Sequence, residues 1–206
     1  METSEDLVTA TFEGGTKETG NLLVGCEGAH SPTRCFLLDP EEAELLPSPY
    51  VGSATITTLS REAAIKLRAL NPRFTIILHP NGTWAWVSSQ PPPSFKQLYS
   101  FYLRIITVHD CAAQDPAEWT WMLMQTWQSD EPTGLKDDNF LDAMYERGKE
   151  FGYPFNEAFA AIPKGTKVWH NRLRYWPTKP WNSRGGLVTL AGDAAHPMTF
   201  RKISPQ

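Results

Sequence analysis

Two short apolar runs near opposite ends of the chain, Leu22–Val24 and Leu187–Leu190, lead through a glycine turn to a carboxylate. The first reaches Gly25, Glu27 and Gly28; the second reaches Gly192 and Asp193. Both read as buried strands, because a compact apolar run bounded by glycine suits an interior strand that delivers a loop. Glycine lets the backbone at such a turn approach another group closely. Ligands in α/β folds gather at the carboxyl ends of strands, where an acidic side chain commonly takes sugar hydroxyls. Ala194 and Ala195 are small enough to leave room for a flat or extended ligand. A single strand–Gly–Asp sequence is ordinarily only a turn. Two with these flanks make a candidate binding edge.

Between these ends the pattern changes to longer β-prone runs separated by helices. Leu7–Phe12 ends in the turn Glu13-Gly14-Gly15. Leu45–Tyr50 is Pro-rich and reads as a connector, and Val51–Leu59 as a strand. Ser60 is placed to cap a helix with Ala64 and Leu67, and with Ala63 and Leu70, on its apolar side; Asn71 and Pro72 stop it. Phe74–His79 and Thr83–Ser88 flank Pro80-Asn81-Gly82, a hairpin signal, since Asn and Gly both tolerate positive φ. Gln90–Ser94 is a Pro-rich loop. Phe101–Val108 and Trp119–Trp127 are the next strands, and apolar residues on both faces of the second predict a central position. Phe140, Met144 and Tyr145 have helical spacing, as do Phe155, Phe159 and Ile162. Val168–Trp176 is a further strand. The expected fold class is α+β, with a mixed central sheet lobe and helices.

Composition narrows the function classes. A net charge of −4 over 206 residues argues against a nucleic-acid surface. The densest basic group, Lys164 to Arg174, is interleaved with Trp169, His170 and Tyr175 as in an alternating strand. No apolar run approaches the roughly 18 residues of a membrane span. Cys26, Cys35 and Cys111 form neither a disulfide framework nor a C-x-x-C pair, which predicts a reducing, cytoplasmic setting and no structural metal. His30, His79, His109 and His170 are scattered without an H-E-x-x-H, so no metal role is expected. His196 follows Asp193 without a G-x-S-x-G partner and reads as a structural hydrogen-bonding residue. No catalytic acid or base is nominated.

The segments LLVGCEGAHSPTR (Leu22–Arg34) and LVTLAGDAAHPMTF (Leu187–Phe200) resemble two motifs of the FAD-dependent monooxygenases of the aromatic-hydroxylase type, especially fungal members. The run Trp169–Trp181 resembles the strand before the second motif. By this resemblance Asp193 hydrogen-bonds the ribityl chain of FAD, with Gly192, Ala194 and Ala195 beside it. Gly25, Gly28, Ser31 and Arg34 match the middle motif near the pyrophosphate, implicated in FAD and NADPH contacts, and Glu27 stands where aspartate is usual; a buried ion pair for Arg34 and a local turn cap for Glu27 are the alternatives. The implied activity is NAD(P)H- and O2-dependent hydroxylation of a small organic substrate, with the protein positioning the flavin and excluding water. Trp84, Trp86, Phe101, Trp119, Trp121 and Trp127 are candidates for a substrate wall, against plain core packing.

The same family begins with a βαβ unit carrying G-x-G-x-x-G, which none of the 14 glycines here supplies. Its match also stops at Phe200, before RKISPQ. The resemblance therefore implies a copy incomplete at both ends: a fragment of an α/β FAD-binding fold lacking its N-terminal βαβ unit. Residues 1–50 would be a partial FAD-binding domain, 51–176 a substrate-type lobe and 177–206 the return to the FAD-binding domain. A cofactor-free remnant acting as a small-molecule binding or interaction module is the alternative. A third expectation is poor folding in isolation, through unpaired strand edges at Leu22–Val24 and Leu187–Leu190.

Overall fold

A computed structural model describes residues 1–90, 115–129 and 139–197. The chain divides into two compact units, Met1–Ser48 with Leu173–Gln206, and Pro49–Arg172.

The first unit opens with a small antiparallel sheet of β1 (Glu2–Thr3), β2 (Val8–Thr11) and β3 (Lys17–Gly20). Its second hairpin turns through Glu13-Gly14-Gly15, with Gly15 N–H donating to Phe12 O at 2.8 Å. Next come β4 (Leu23–Gly25) and two short helices, α1 (Pro32–Leu37) and α2 (Pro40–Ala43). Far along the chain, β10 (Val188–Leu190) returns to pair with β4 in parallel. Val8, Leu37, Val188, Leu190, Ala194 and Ala195 form the buried core of this unit. The expectation that β4 is buried needs correcting. Leu22 is 57% and Val24 45% exposed, because this sheet has two strands among the described residues and β4 is covered on one face only.

The second unit is built on a five-stranded sheet. Its strands are β5 (Leu46–Thr58), β6 (Phe74–Leu78), β7 (Trp84–Gln90), β8 (Thr120–Gln128) and β9 (Trp169–Tyr175), in the order β6-β7-β8-β5-β9. β8 is central, as its two-sided apolar pattern predicts. Helices α3 (Arg61–Leu70), α4 (Phe140–Gly148) and α5 (Phe155–Ala160) supply core residues that cluster with one face of the sheet. Ala64 and Leu67 of α3, Met144 of α4 and Phe159 of α5 pack with Val87, Trp121 and Leu123. α3 starts where Ser60 Oγ accepts from the Ala63 N–H at 3.3 Å. Leu70, expected on its apolar side, is 54% exposed at the last turn.

Two local readings differ from expectation. Leu46–Pro49 is the start of a 13-residue strand rather than a connector. Pairing with β8 begins at Tyr50, so Pro47 and Pro49 lie outside that ladder and their missing N–H groups cost it nothing. Pro49 contributes its carbonyl, which accepts from Ser129 N–H at 2.8 Å. In the β6–β7 hairpin only Gly82 takes a positive φ, 87°. Asn81 instead uses its side chain, accepting from the Thr83 N–H at 2.9 Å. The expected strand Phe101–Val108, most of the Gln90–Ser94 loop, His109 and Cys111 lie outside the described residues.

Candidate functional site

The two glycine turns meet because β4 and β10 are in parallel register. Leu190 stands opposite Gly25, and Ala191 N–H donates to Gly25 O at 2.8 Å. Both strands end at the same edge, one delivering Glu27 and Gly28, the other Gly192 and Asp193. Asp193 lies in a single 3-10 turn, Gly192–Ala194, and its side chain is exposed. The turn closes when the Ala195 and His196 N–H groups both donate to Gly192 O at 3.0 Å. His196 is itself exposed, and its backbone rather than its ring provides this bond.

Gly28 and Gly192 hold φ of 90° and 59°, a region that L side chains rarely adopt. A Cβ at either would meet nothing within 4 Å, so open space lies against both stretches of backbone. Gly25 is small for a different reason. A Cβ there would stand 2.6 Å from Thr33 Cβ and 2.9 Å from Glu27 Oε2, so β4 and α1 approach as closely as they do only through a glycine. Ala194 and Ala195 face inward and are 0% and 7% exposed. Their small side chains serve the packing beneath the turn rather than clearance above it.

Glu27 and Arg34 are committed within the protein. The Glu27 carboxylate caps the first turn of α1, accepting from Thr33 N–H at 3.2 Å, Ser31 Oγ–H at 3.0 Å and the Thr33 hydroxyl. Burial pushes this carboxyl up, but the hydrogen bonds from Thr33 and Ser31 outweigh it and hold it below the ordinary glutamate range. Ser31 Oγ also accepts from Arg34 N–H at 3.0 Å. Arg34 is 2% exposed. Its guanidinium donates to Ala43 O at 3.0 Å, Ala194 O at 3.0 Å and Ala29 O, and lies 5.1 Å from the centre of the Trp176 ring. From the sequence Arg34 reads equally as a phosphate ligand or as half of a buried structural ion pair; here its fork binds main-chain carbonyls instead and ties the first glycine turn to the second. Only the pairing of positions 34 and 194 in space reveals this, and no local sequence signal carries it.

The segment before β10 braces the same turn. Thr178 Oγ1 donates to Ala195 O at 2.9 Å, Trp176 N–H to Pro197 O at 3.3 Å, and Trp176 Nε1–H to Glu42 O at 2.6 Å.

In the second unit the candidate substrate wall divides. Trp119 and Trp121 belong to the helix-covered core, which is the packing alternative. Trp127 is half-buried beneath Arg147, whose guanidinium carbon is 3.4 Å from the ring centre. Trp84 and Trp86 lie in register with Thr126 and Met124 on the opposite face, where Ile56, Phe74, Ile76 and Leu78 are exposed. Phe101 lies outside the described residues.

No family model matches the chain. Individual proteins do. It is 42% identical over 202 residues to the FAD-dependent monooxygenase cctM of Talaromyces islandicus, an alignment spanning 98% of this chain and 46% of that protein. It is 33% identical over 198 residues to the FAD-dependent monooxygenase dbaB of Emericella nidulans, spanning 94% and 47%. The relatives of this chain are fungal FAD-dependent monooxygenases. The chain spans less than half the length of these monooxygenases.

Solved structures give the fold independently. 2,6-Dihydroxypyridine-3-hydroxylase from Arthrobacter nicotinovorans superposes with a TM-score of 0.62 at 17% identity, covering 95% of this chain and 47% of that one. Klebsiella pneumoniae HpxO, complexed with FAD and uric acid, superposes with a TM-score of 0.56 at 20% identity, covering 95% and 41%. The mixed α+β architecture with antiparallel sheets therefore matches part of the fold of each of these structures.

Proposed function

We propose that the edge where β4 and β10 end binds the ribityl region of FAD, as part of a monooxygenase that hydroxylates a small organic substrate using NAD(P)H and oxygen. The observation that carries the reading is the parallel pairing of Leu190 with Gly25, which brings the Asp193 turn and the Gly25–Gly28 turn to one edge. The donor set fits a polyol. Asp193 offers an exposed carboxylate, an acceptor for hydroxyl groups, beside backbone that is open at Gly28 and Gly192. FAD bound there would accept hydride and activate oxygen. The chain's own work is binding and orientation. In this reading Asp193 grips the polyol, Gly28 and Gly192 admit it, and Ala194, Ala195 and Gly25 form the floor. Glu27 and Arg34 hold the two turns in place from within.

The first unit is then the flavin-side portion and the second a substrate lobe, in which Trp86, Met122, Met124, Ile56 and Ile76, on the sheet face opposite the described helices, form the substrate wall. A small planar substrate such as the uric acid bound by HpxO suits an apolar wall of this kind. NADPH as hydride donor and a cytoplasmic location belong to the same reading.

One observation favours a cofactor-free binding module instead. Glu27 and Arg34 are already satisfied internally and no G-x-G-x-x-G is present, so Asp193 carries the flavin affinity with little charged help. Titrating FAD into the purified full chain, with flavin fluorescence quenching as readout, separates the two. The flavin reading expects saturable quenching, weakened about tenfold or more in Asp193→Ala, since a hydrogen bond to a charged group is worth about 1.5–3 kcal/mol. An unquenched flavin, or an unchanged Asp193→Ala variant, would establish the alternative.

A further inference from the structure

Asp193 lies in a single 3-10 turn directly after Gly192. A glycine restrains the backbone least, and one turn of 3-10 helix is a weak device on its own. The two N–H groups that close this turn share one acceptor, Gly192 O. The backbone that follows is held from outside. Arg34 donates to Ala194 O, the Thr178 hydroxyl to Ala195 O and the Trp176 N–H to Pro197 O. We propose that Thr178 is a positioning residue for Asp193, and that residues 176–179 act through it as a strap that sets where the carboxylate meets a bound polyol. The inference rests on the flavin reading and deepens it.

Two observations single out this residue. The first is the place it grips. Ala195 is held on both sides: its N–H donates to Gly192 O at 3.0 Å and closes the Asp193 turn, while its carbonyl accepts the Thr178 hydroxyl at 2.9 Å. One alanine thus joins the turn to the strap. The second is the anchor at the other end. Trp176, 3% exposed, donates its Nε1–H to Glu42 O at 2.6 Å, and Lys179 Nζ lies 3.6 Å from the Glu42 carboxylate. Arg34, whose guanidinium lies against the Trp176 ring, reaches the next carbonyl of α2, Ala43 O. The end of α2 is therefore the common anchor of Arg34 and the strap, and both run from it to the residues just after Asp193.

The members of this clamp differ in what their loss would do. Arg34 and Trp176 are buried, so removing either damages the packing of the first unit. Thr178 is exposed, and its hydroxyl can be removed without opening a cavity in the core. Without that bond the turn samples more positions in the free chain. A ligand must then restore the position that binds, and its affinity falls by the cost of that ordering. The net worth of one hydrogen bond limits the loss to about tenfold.

A double-mutant cycle on the purified full chain, read by flavin fluorescence quenching, makes the test. Thr178→Val keeps the shape of the side chain and removes its hydroxyl, and should weaken FAD binding about threefold to tenfold. Thr178→Ser keeps the hydroxyl and should bind like the parent. In an Asp193→Ala background Thr178→Val should have no further effect, because no carboxylate is left to position; a merely structural role would cost the same in both backgrounds. The proposal is overturned by parent-like binding in Thr178→Val, by a serine variant as weak as the valine variant, or by equal losses in the two backgrounds, and each of these leaves the flavin reading standing. A parent chain that does not quench flavin at all overturns both.

Discussion

Replacing Arg34 with methionine tests whether this residue is an internal strut. The substitution keeps most of the side-chain volume and removes the fork that reaches Ala29 O, Ala43 O and Ala194 O. Hydrogen bonds from a charged donor are worth about 1.5–3 kcal/mol each, so three would amount to about 5–9 kcal/mol if they simply added. They do not add. Methionine retains contact with the Trp176 ring, and some of the released carbonyls reach water. A loss of about 3–5 kcal/mol is therefore expected, the range found when one partner of a buried charged network is removed. That is a large share of the ~5–15 kcal/mol that holds a typical domain folded. Urea denaturation followed by tryptophan fluorescence measures it, with Arg34→Lys as the comparison. Lysine keeps the charge but cannot span three carbonyls, so it should fall between methionine and the parent chain. A loss below about 1 kcal/mol in Arg34→Met, or a lysine variant as stable as the parent, would refute the strut.

Gly25→Ala should destabilise the chain by about 1–3 kcal/mol, the usual cost of overpacking, because its Cβ would overlap Thr33 and crowd Glu27; the same denaturation experiment reads it, and a neutral variant would contradict the close approach of β4 to α1. For His170 the sign follows from its lowered folded-state pKa. The unfolded chain takes up a proton first, so the contribution of this residue to stability is complete above about pH 6.5 and is lost as the pH falls through the lowered folded value. Comparing denaturation midpoints at pH 7.5 and 5.5 should show a smaller drop in His170→Gln than in the parent, and equal drops would count against it.

What the sequence makes legible here is what depends on near neighbours. Ser60 announces α3, Asn81-Gly82 the β6–β7 hairpin, and the two-sided apolar pattern of Trp119–Trp127 the centre of the sheet. Partners distant in the chain are less visible. The prolines at 47 and 49 look like breakers until the register shows that the ladder with β8 starts at Tyr50. The tryptophans look like one wall, yet the pleat sends Trp121 and Trp86 to opposite faces. At the candidate site the glycines and Asp193 are recognisable from their flanks. The inward role of Arg34 is not, because it depends on a carbonyl 160 positions away.

The discontinuity of the first unit also bears on how the molecule is made. Its parallel pair joins Gly25 to Leu190, a contact of very high sequence separation, whereas Pro49–Arg172 is one unbroken stretch. Emerging from the ribosome, β4 must wait for all of Pro49–Arg172 to be made before β10 arrives. Until then Leu23 and Val24 lack their partner strand, and this edge should assemble later than the second unit and be the more exposed of the two to chaperones.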